Sequence, residues 1–172
     1  MSRIWKNGSF ATDTFATLDD AAALPKDQPV IVTLKRWRDA RAAILAAGAS
    51  AGVLVEPAAA LDAATDALDK IEVIAIPFAK FTDGRGYSLA RRLRDEFGYL
   101  GEIRATGEVL LDQIPLMLRC GFDAFAISHA PTLRALEAGQ LPAIPEVYQT
   151  ASYGRARTTA TFASRPVAVA AK

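Results

Sequence analysis

Cysteine and histidine are nearly absent: the 172-residue chain has one of each, Cys120 and His129. A lone Cys excludes a disulfide framework, a dithiol redox pair, a Cys-based zinc site and an iron–sulfur cluster. A lone His excludes multi-His metal centres, so the sequence offers no metal site. Charge of one sign is lacking too. Lys plus Arg number 20 and Asp plus Glu 19, a net +1 that argues against a general nucleic-acid binder and against intrinsic disorder. No apolar run approaches the ~18 residues of a membrane helix. The start, Met1 to Gly8, has no apolar signal region, and the reading predicts a cytoplasmic protein without membrane contact.

What is present is an Ala-rich apolar half: 51% of residues are hydrophobic, enough at this length for one core. An Asn7-Gly8 turn between Arg3-Ile4-Trp5 and Ser9-Phe10 predicts a small hairpin over residues 1–12, a flap beside the main fold. From residue 29 onward, short β-branched runs alternate with helical stretches. The runs are Val30–Leu34, Ala51–Val55, Val73–Ile76, Gly101–Thr106 and Phe122–Ser128. This order predicts an α/β fold of about five βα units with a mainly parallel sheet, either open and doubly wound or an incomplete barrel.

The first run leads into a helix over 36–47 stopped by Gly48, and the second into a helix from Pro57 with Leu61 and Leu68 on one face. After the third run, Leu89, Leu93 and Phe97 mark an apolar stripe, with Arg91, Arg92, Arg94, Asp95 and Glu96 on the solvated side and Gly98 at the end. The fourth feeds a helix from about Glu108 in which Pro115 predicts a kink, or two short helices meeting near Ile114. The fifth feeds Pro131 to Ala138, ended by Gly139. A single domain over 1–145 is expected. Beyond it, 146–172 has no acid after Glu146 but keeps Arg155, Arg157, Arg165 and Lys172, and reads as an irregular basic tail.

Parallel α/β folds bind ligands outside the carboxyl ends of their strands. There, after the third run, Asp83-Gly84-Arg85-Gly86 and Ser88 offer an oxyanion cradle: glycines permit close backbone approach, and helix-start amides and a guanidinium face the same anion. The bland alternative is a turn with Asp83 or Ser88 capping the helix and Arg85 solvated. In the fourth run, Glu102 and Arg104 share one strand face, where a buried strand normally carries apolar residues. They must pair with each other or with a loop residue, or sit at the solvent end. Arg104, with Thr106-Gly107 after it, is a second candidate anion ligand. Asp112 and Gln113 reach a ligand only if the kink re-aims them, and otherwise make a helix–helix contact. His129 stands on the functional side as a proton donor without an identified partner. Cys120, at a helix carboxyl end, is a poor nucleophile, and Trp37 belongs either to an aromatic–basic rim or to the core.

The stretch Phe81–Arg91, with Gly98-Tyr99, Gly101 to Gly107, Asp112-Gln113 and Arg119 to Asp123, resembles a bacterial family of uncharacterised proteins encoded beside the sulfite reductase hemoprotein and the adenylyl- or phosphoadenylyl-sulfate reductase. The similarity begins at Trp5-Lys6-Asn7-Gly8 and fades in the tail. It implies a role in sulfite reduction under a loose oxidoreductase label. It also marks Asp83, Gly84, Arg85, Gly86, Ser88, Arg104, Gly107, Asp112, Gln113 and Gly121 as family-typical, without catalytic roles. The expected ligand is a small oxyanion or phosphosulfate, and the expected partners are subunits of the sulfite or adenylyl-sulfate reductase. A homo-oligomer is left open. A direct redox role would require a bound flavin or nicotinamide, and no nicotinamide loop is recognisable, so the cofactor stays open. The alternatives are a non-catalytic partner module of the reductase complex, or a phosphate- or flavin-binding enzyme unrelated to sulfur.

Overall fold

The computed structural model describes residues 3–48, 50–59, 65–80 and 83–142. The predicted tail from 146, and Leu61, lie outside these residues. Eight strands form one sheet: β1 (Arg3–Lys6), β2 (Ser9–Thr12), β3 (Ala16–Thr17), β4 (Val30–Thr33), β5 (Ala51–Leu54), β6 (Val73–Phe78), β7 (Glu102–Gly107) and β8 (Ala124–Ile127). The helices are α1 (Leu34–Ala46), α2 (Arg85–Asp95), α3 (Ile114–Cys120) and α4 (Ala130–Glu137), with 3-10 turns at Thr65–Lys70 and Leu111–Gln113.

The strand order is β2-β1-β8-β7-β6-β5-β4-β3. From β3 to β8 the strands are parallel and follow chain order, so no strand order reversal exists and the doubly wound alternative is excluded. Chain length then dictates curvature. Strands β2 and β3 lie at opposite ends of the order, seven inter-strand steps apart, which is roughly 34 Å in a flat sheet. The link from Thr12 to Ala16 spans at most ~14 Å when fully extended. The sheet therefore curls into a half-barrel, bringing its two edges within reach of that link.

The hairpin is not a flap. Its turn residues Asn7 (φ 53°) and Gly8 (φ 80°) adopt the left-handed pair that an Asn-Gly hairpin requires. Strand β1 then pairs antiparallel with β8, Trp5 opposite Phe125, and extends the sheet. The two-residue strand β3 carries no apolar run of its own, which is why the sequence hides it.

Period-2 alternation gives the sheet two apolar faces. Outward, Val30, Val32, Val53, Ile74, Ile76, Ile103, Ala105 and Phe125 join the main core under the helices. Inward, Ile31, Val73 and Ala75 form a second cluster with Phe15 and Leu54. Trp37, from α1, is core and not rim. That helix begins at Leu34, ahead of the expected 36, because the Thr33 hydroxyl caps it by accepting from the Arg36 amide at 3.1 Å. Four strand–helix steps are seen, after β4, β6, β7 and β8. Between β5 and β6 the described residues hold the 3-10 turn; the helix expected from Pro57 runs through residues 60–64, which lie outside them. The helix expected from Glu108 starts later: Pro115 occupies the first turn of α3, preceded by the 3-10 turn, so two short helices meet at Ile114.

Arg94 departs from the expectation that it faces solvent. On α2 it lies one turn beyond Ala90 and is buried with Leu89, Ala90 and Leu93. Its guanidinium donates to the carbonyls of Gly121, Tyr99 and Gly101 and to the Asp123 carboxylate. Asp123 also accepts from the Ile103 amide at 2.9 Å. One side chain thus ties α2, the loop into β7 and the start of β8. The Tyr99 hydroxyl donates to the Ile71 carbonyl at 3.0 Å beside it.

Replacing Arg94 with Met leaves Asp123 and three carbonyls without their donor. The expected loss is about 3–5 kcal/mol of unfolding free energy in urea, and Lys, whose compact ammonium cannot fork to these acceptors, should recover little of it. Burial raises the Tyr99 phenol above its ordinary pKa of 10, with the Arg94 charge opposing that shift. The unfolded chain then loses this proton before the folded one. Stability from this group is complete below pH 10 and is lost as pH rises toward the folded value; urea titrations above pH 10 should show a steeper decline for wild type than for Tyr99→Phe.

Candidate functional site

The carboxyl end of β6 leads into α2 over the ring of Phe78. Gly86 lies against that ring, where a Cβ would come within 2.6 Å of Phe78 Cζ. Gly107 (φ 93°) closes β7 on the same residue, with a Cβ position 2.6 Å from the Phe78 carbonyl oxygen. Both glycines are therefore demanded by packing around Phe78. Gly84 differs: among the described residues nothing lies within 4 Å of its Cβ position.

Gly84 is also the N-cap residue of α2 and supplies no side-chain cap. Asp83 partly takes that role by accepting from the Arg85 amide at 3.2 Å. The same carboxylate grips the Arg85 guanidinium with two bonds, Nε at 2.9 Å and Nη2 at 2.7 Å. These hydrogen bonds, the guanidinium first and the amide second, hold the Asp83 carboxyl down at about 2. The pair is in water, with 65% of the Arg85 side chain exposed, so its Coulomb energy is screened and exchangeable. An acidic group of the chain itself occupies the position where an anion would sit. Ser88 lies exposed one turn on, and does not cap.

Tyr87 packs edge-on to Phe78 with ring centroids 5.7 Å apart. Burial raises its phenol, and α3 packs against α2. Gln113 turns back to accept from the Leu110 amide at 3.1 Å, a capping role. Asp112 is exposed on the same turn. Burial raises the Cys120 thiol too, in agreement with an unreactive cysteine. His129 Nδ1 lies 2.8 Å from the Thr132 hydroxyl at the start of α4. Ser128 donates from its hydroxyl to the Gly107 carbonyl at 2.8 Å, joining the ends of β7 and β8.

Arg104 sits elsewhere, inside the half-barrel. Its side chain is 3% exposed, and it bonds Glu102 through Nε at 2.9 Å and Nη2 at 2.8 Å. Its Nη1 donates to both oxygens of Asp13, each at 2.9 Å. The other Glu102 oxygen accepts from Lys6. Among the described residues, Arg85 and Arg104 share no partner; each already holds its own aspartate. Sequence reasoning missed Lys6 and Asp13. The only available signal was the demand of a buried strand arginine for neutralisation, which does not say that the carboxylate lies 91 positions away.

A cleft of about 1020 Å³ opens at the opposite, amino-terminal rim, lined by residues that include Lys6, Asp69, Glu72, Leu100, Glu102 and Asp123. Its carboxylates already have partners: Lys6 and Arg104 for Glu102, Arg94 for Asp123, Lys70 for Asp69 and the Ser50 hydroxyl for Glu72. The charged groups of that rim are thus tied up in pairs of the chain's own.

Residues 52–158 match a family model described as a bacterial protein of unknown function, DUF934. The chain belongs to this family. No curated protein matches it. The span matched to DUF934 contains Arg85, Glu102 and Arg104, whereas Lys6 and Asp13 precede it. Among the described residues of this DUF934 member, no group of three or more His, Cys, Asp or Glu is arranged to hold a metal, and no helix is long and apolar enough to cross a membrane.

The glycines separate experimentally. Gly86→Ala and Gly107→Ala should each cost about 1–3 kcal/mol through contact with Phe78 or a strained backbone, whereas Gly84→Ala should change stability by less than about 0.5 kcal/mol, as read by denaturant unfolding.

Proposed function

We propose that the protein is an accessory protein, or an enzyme, of assimilatory sulfate or sulfite reduction that binds a small oxyanion or phosphosulfate at the carboxyl ends of its strands. The observation that carries this reading is the start of α2, where the first-turn Arg85 amide and the exposed, fork-shaped Arg85 guanidinium already hold a carboxylate, that of Asp83, in a solvated pair. The sulfur assignment rests on the resemblance of the central motifs to the family encoded beside sulfite reductase. Sulfite, sulfate and adenylyl sulfate are all anions that such a cradle accepts.

Asp83 acts here as an internal competitor. Its carboxylate is the group an incoming oxyanion displaces, and the weak, solvated pairing makes displacement affordable. Gly84 and Ser88 flank the cradle and Gly86 and Gly107 brace it through Phe78, while Asp112, Gln113 and His129 are the further candidate residues. Glu102 and Arg104 lie inward of this mouth.

A second reading has its own support. Leu100 is 80% exposed and Leu116 45% exposed, large apolar side chains that a partner surface would cover. They favour a module that docks on subunits of the sulfite or adenylyl-sulfate reductase in the cytoplasm. A phosphate- or flavin-binding role unrelated to sulfur is the third.

Calorimetry with sulfite, sulfate, phosphate and adenylyl sulfate distinguishes these. Binding by wild type, lost in Arg85→Ala and strengthened about tenfold in Asp83→Asn, is the expected pattern; absence of heat with all four anions sinks it. Preference for phosphate over every sulfur oxyanion favours the third reading. Retention of a reductase complex by Arg85→Ala, and its loss in Leu100→Asp, favours the docking module.

A further inference from the structure

The inner ion cluster holds two cations, Lys6 and Arg104, and two carboxylates, Asp13 and Glu102. The neutral sum depends on one short segment. Lys6, Glu102 and Arg104 stand on strands of the sheet, but Asp13 stands on the link between β2 and β3, which crosses the open side of the half-barrel. Asp13 points back at Arg104 with both carboxylate oxygens, and one of them also accepts from the Phe15 amide at 3.1 Å. The Arg104 guanidinium lies 5.5 Å from the centroid of the Phe15 ring. Beside Arg104, the inward positions of the neighbouring strands carry only Ala75 and Ala124.

Asp13 is held by the single Arg104 nitrogen that Glu102 leaves over, Nη1, and a free carboxylate or sulfite oxygen can accept from that same nitrogen. With the link withdrawn, the interior keeps one positive charge in excess, surrounded by apolar and small side chains. Such a charge cannot stay unpaired there. We propose that the Asp13–Phe15 link is a built-in ligand: a strap whose carboxylate occupies a latent oxyanion site on Arg104, and which exchanges with a free oxyanion. This rests on the oxyanion reading of the protein and adds its regulation: the strap and the anion compete, so anion binding inside the half-barrel opens it. Because strap and sheet must first separate, the apparent affinity of wild type is reduced by the fraction of molecules that are open.

The test uses the full chain. Asp13→Asn, which keeps the shape and removes the charge, and Asp13→Ala, which removes both, are titrated with formate and with sulfite while the thermal midpoint is followed. In both variants the midpoint should climb with anion concentration, and the affinity should exceed that of wild type by about 100-fold. Adding Arg104→Met abolishes the response; adding Arg85→Ala does not. In wild type, hydrogen exchange at the Phe15 and Ala16 amides should quicken as sulfite is added. A midpoint indifferent to anion in both variants overturns the proposal. So does a wild-type strap whose exchange ignores sulfite, which leaves Asp13 a fixed counter-ion only. Loss of anion binding at Arg85 with an intact Asp13-dependent response counts against the mouth site alone, so the two readings fail separately.

Discussion

The constraint on which the structure turns is the neutralisation of Arg104. A guanidinium on the central strand β7 points into the hollow of a curled sheet, where an uncompensated charge costs several kcal/mol. Glu102, two residues earlier on the same face, supplies one carboxylate, but Lys6 shares it. The second must arrive from outside the parallel sheet, and it arrives on the link between β2 and β3. Curvature, closure and electrostatics are therefore one problem. The sheet curls because a short link joins its edges, and that link carries the charge that the interior requires.

The two ends of the strands divide the work. At the amino-terminal rim, Arg94 gathers three carbonyls and a carboxylate, and Tyr99 locks the loop against Ile71. At the carboxyl rim the groups are exposed and the Asp83–Arg85 pair is solvated.

Much of this plan was legible in the sequence. The five β-branched runs became β4 to β8, and Pro115 placed the meeting of two short helices, because each rests on local chemistry that tertiary contacts did not override. Strand alternation placed Glu102 and Arg104 on one face and left their pairing with each other as one of three options. What stayed hidden depends on distance. Asp13 is 91 positions from Arg104, and no local pattern marks a carboxylate whose partner is that far away. Arg94 looked solvated among Arg91, Arg92, Asp95 and Glu96, yet it stacks one turn after Ala90 on the buried side. Gly86 and Gly107 read as ligand glycines, whereas the ring of Phe78 needs both of them bare. Which glycines of the candidate loop are free of packing was decided by contacts that the sequence does not show.

The antiparallel seam between β1 and β8 also has a consequence in time. Trp5 pairs with Phe125, so β1 waits during synthesis for β8, 120 positions later. At about 5–20 residues per second, that delay is roughly 6 to 24 s. Throughout it the hairpin has no sheet to join, and Arg104, synthesised about 20 residues before β8, emerges before the edge that brings Asp13 to it can be seated. The nascent half-barrel must pass through an open, positively charged form before the seam closes, and sealing Trp5 against Phe125 is the step that ends it.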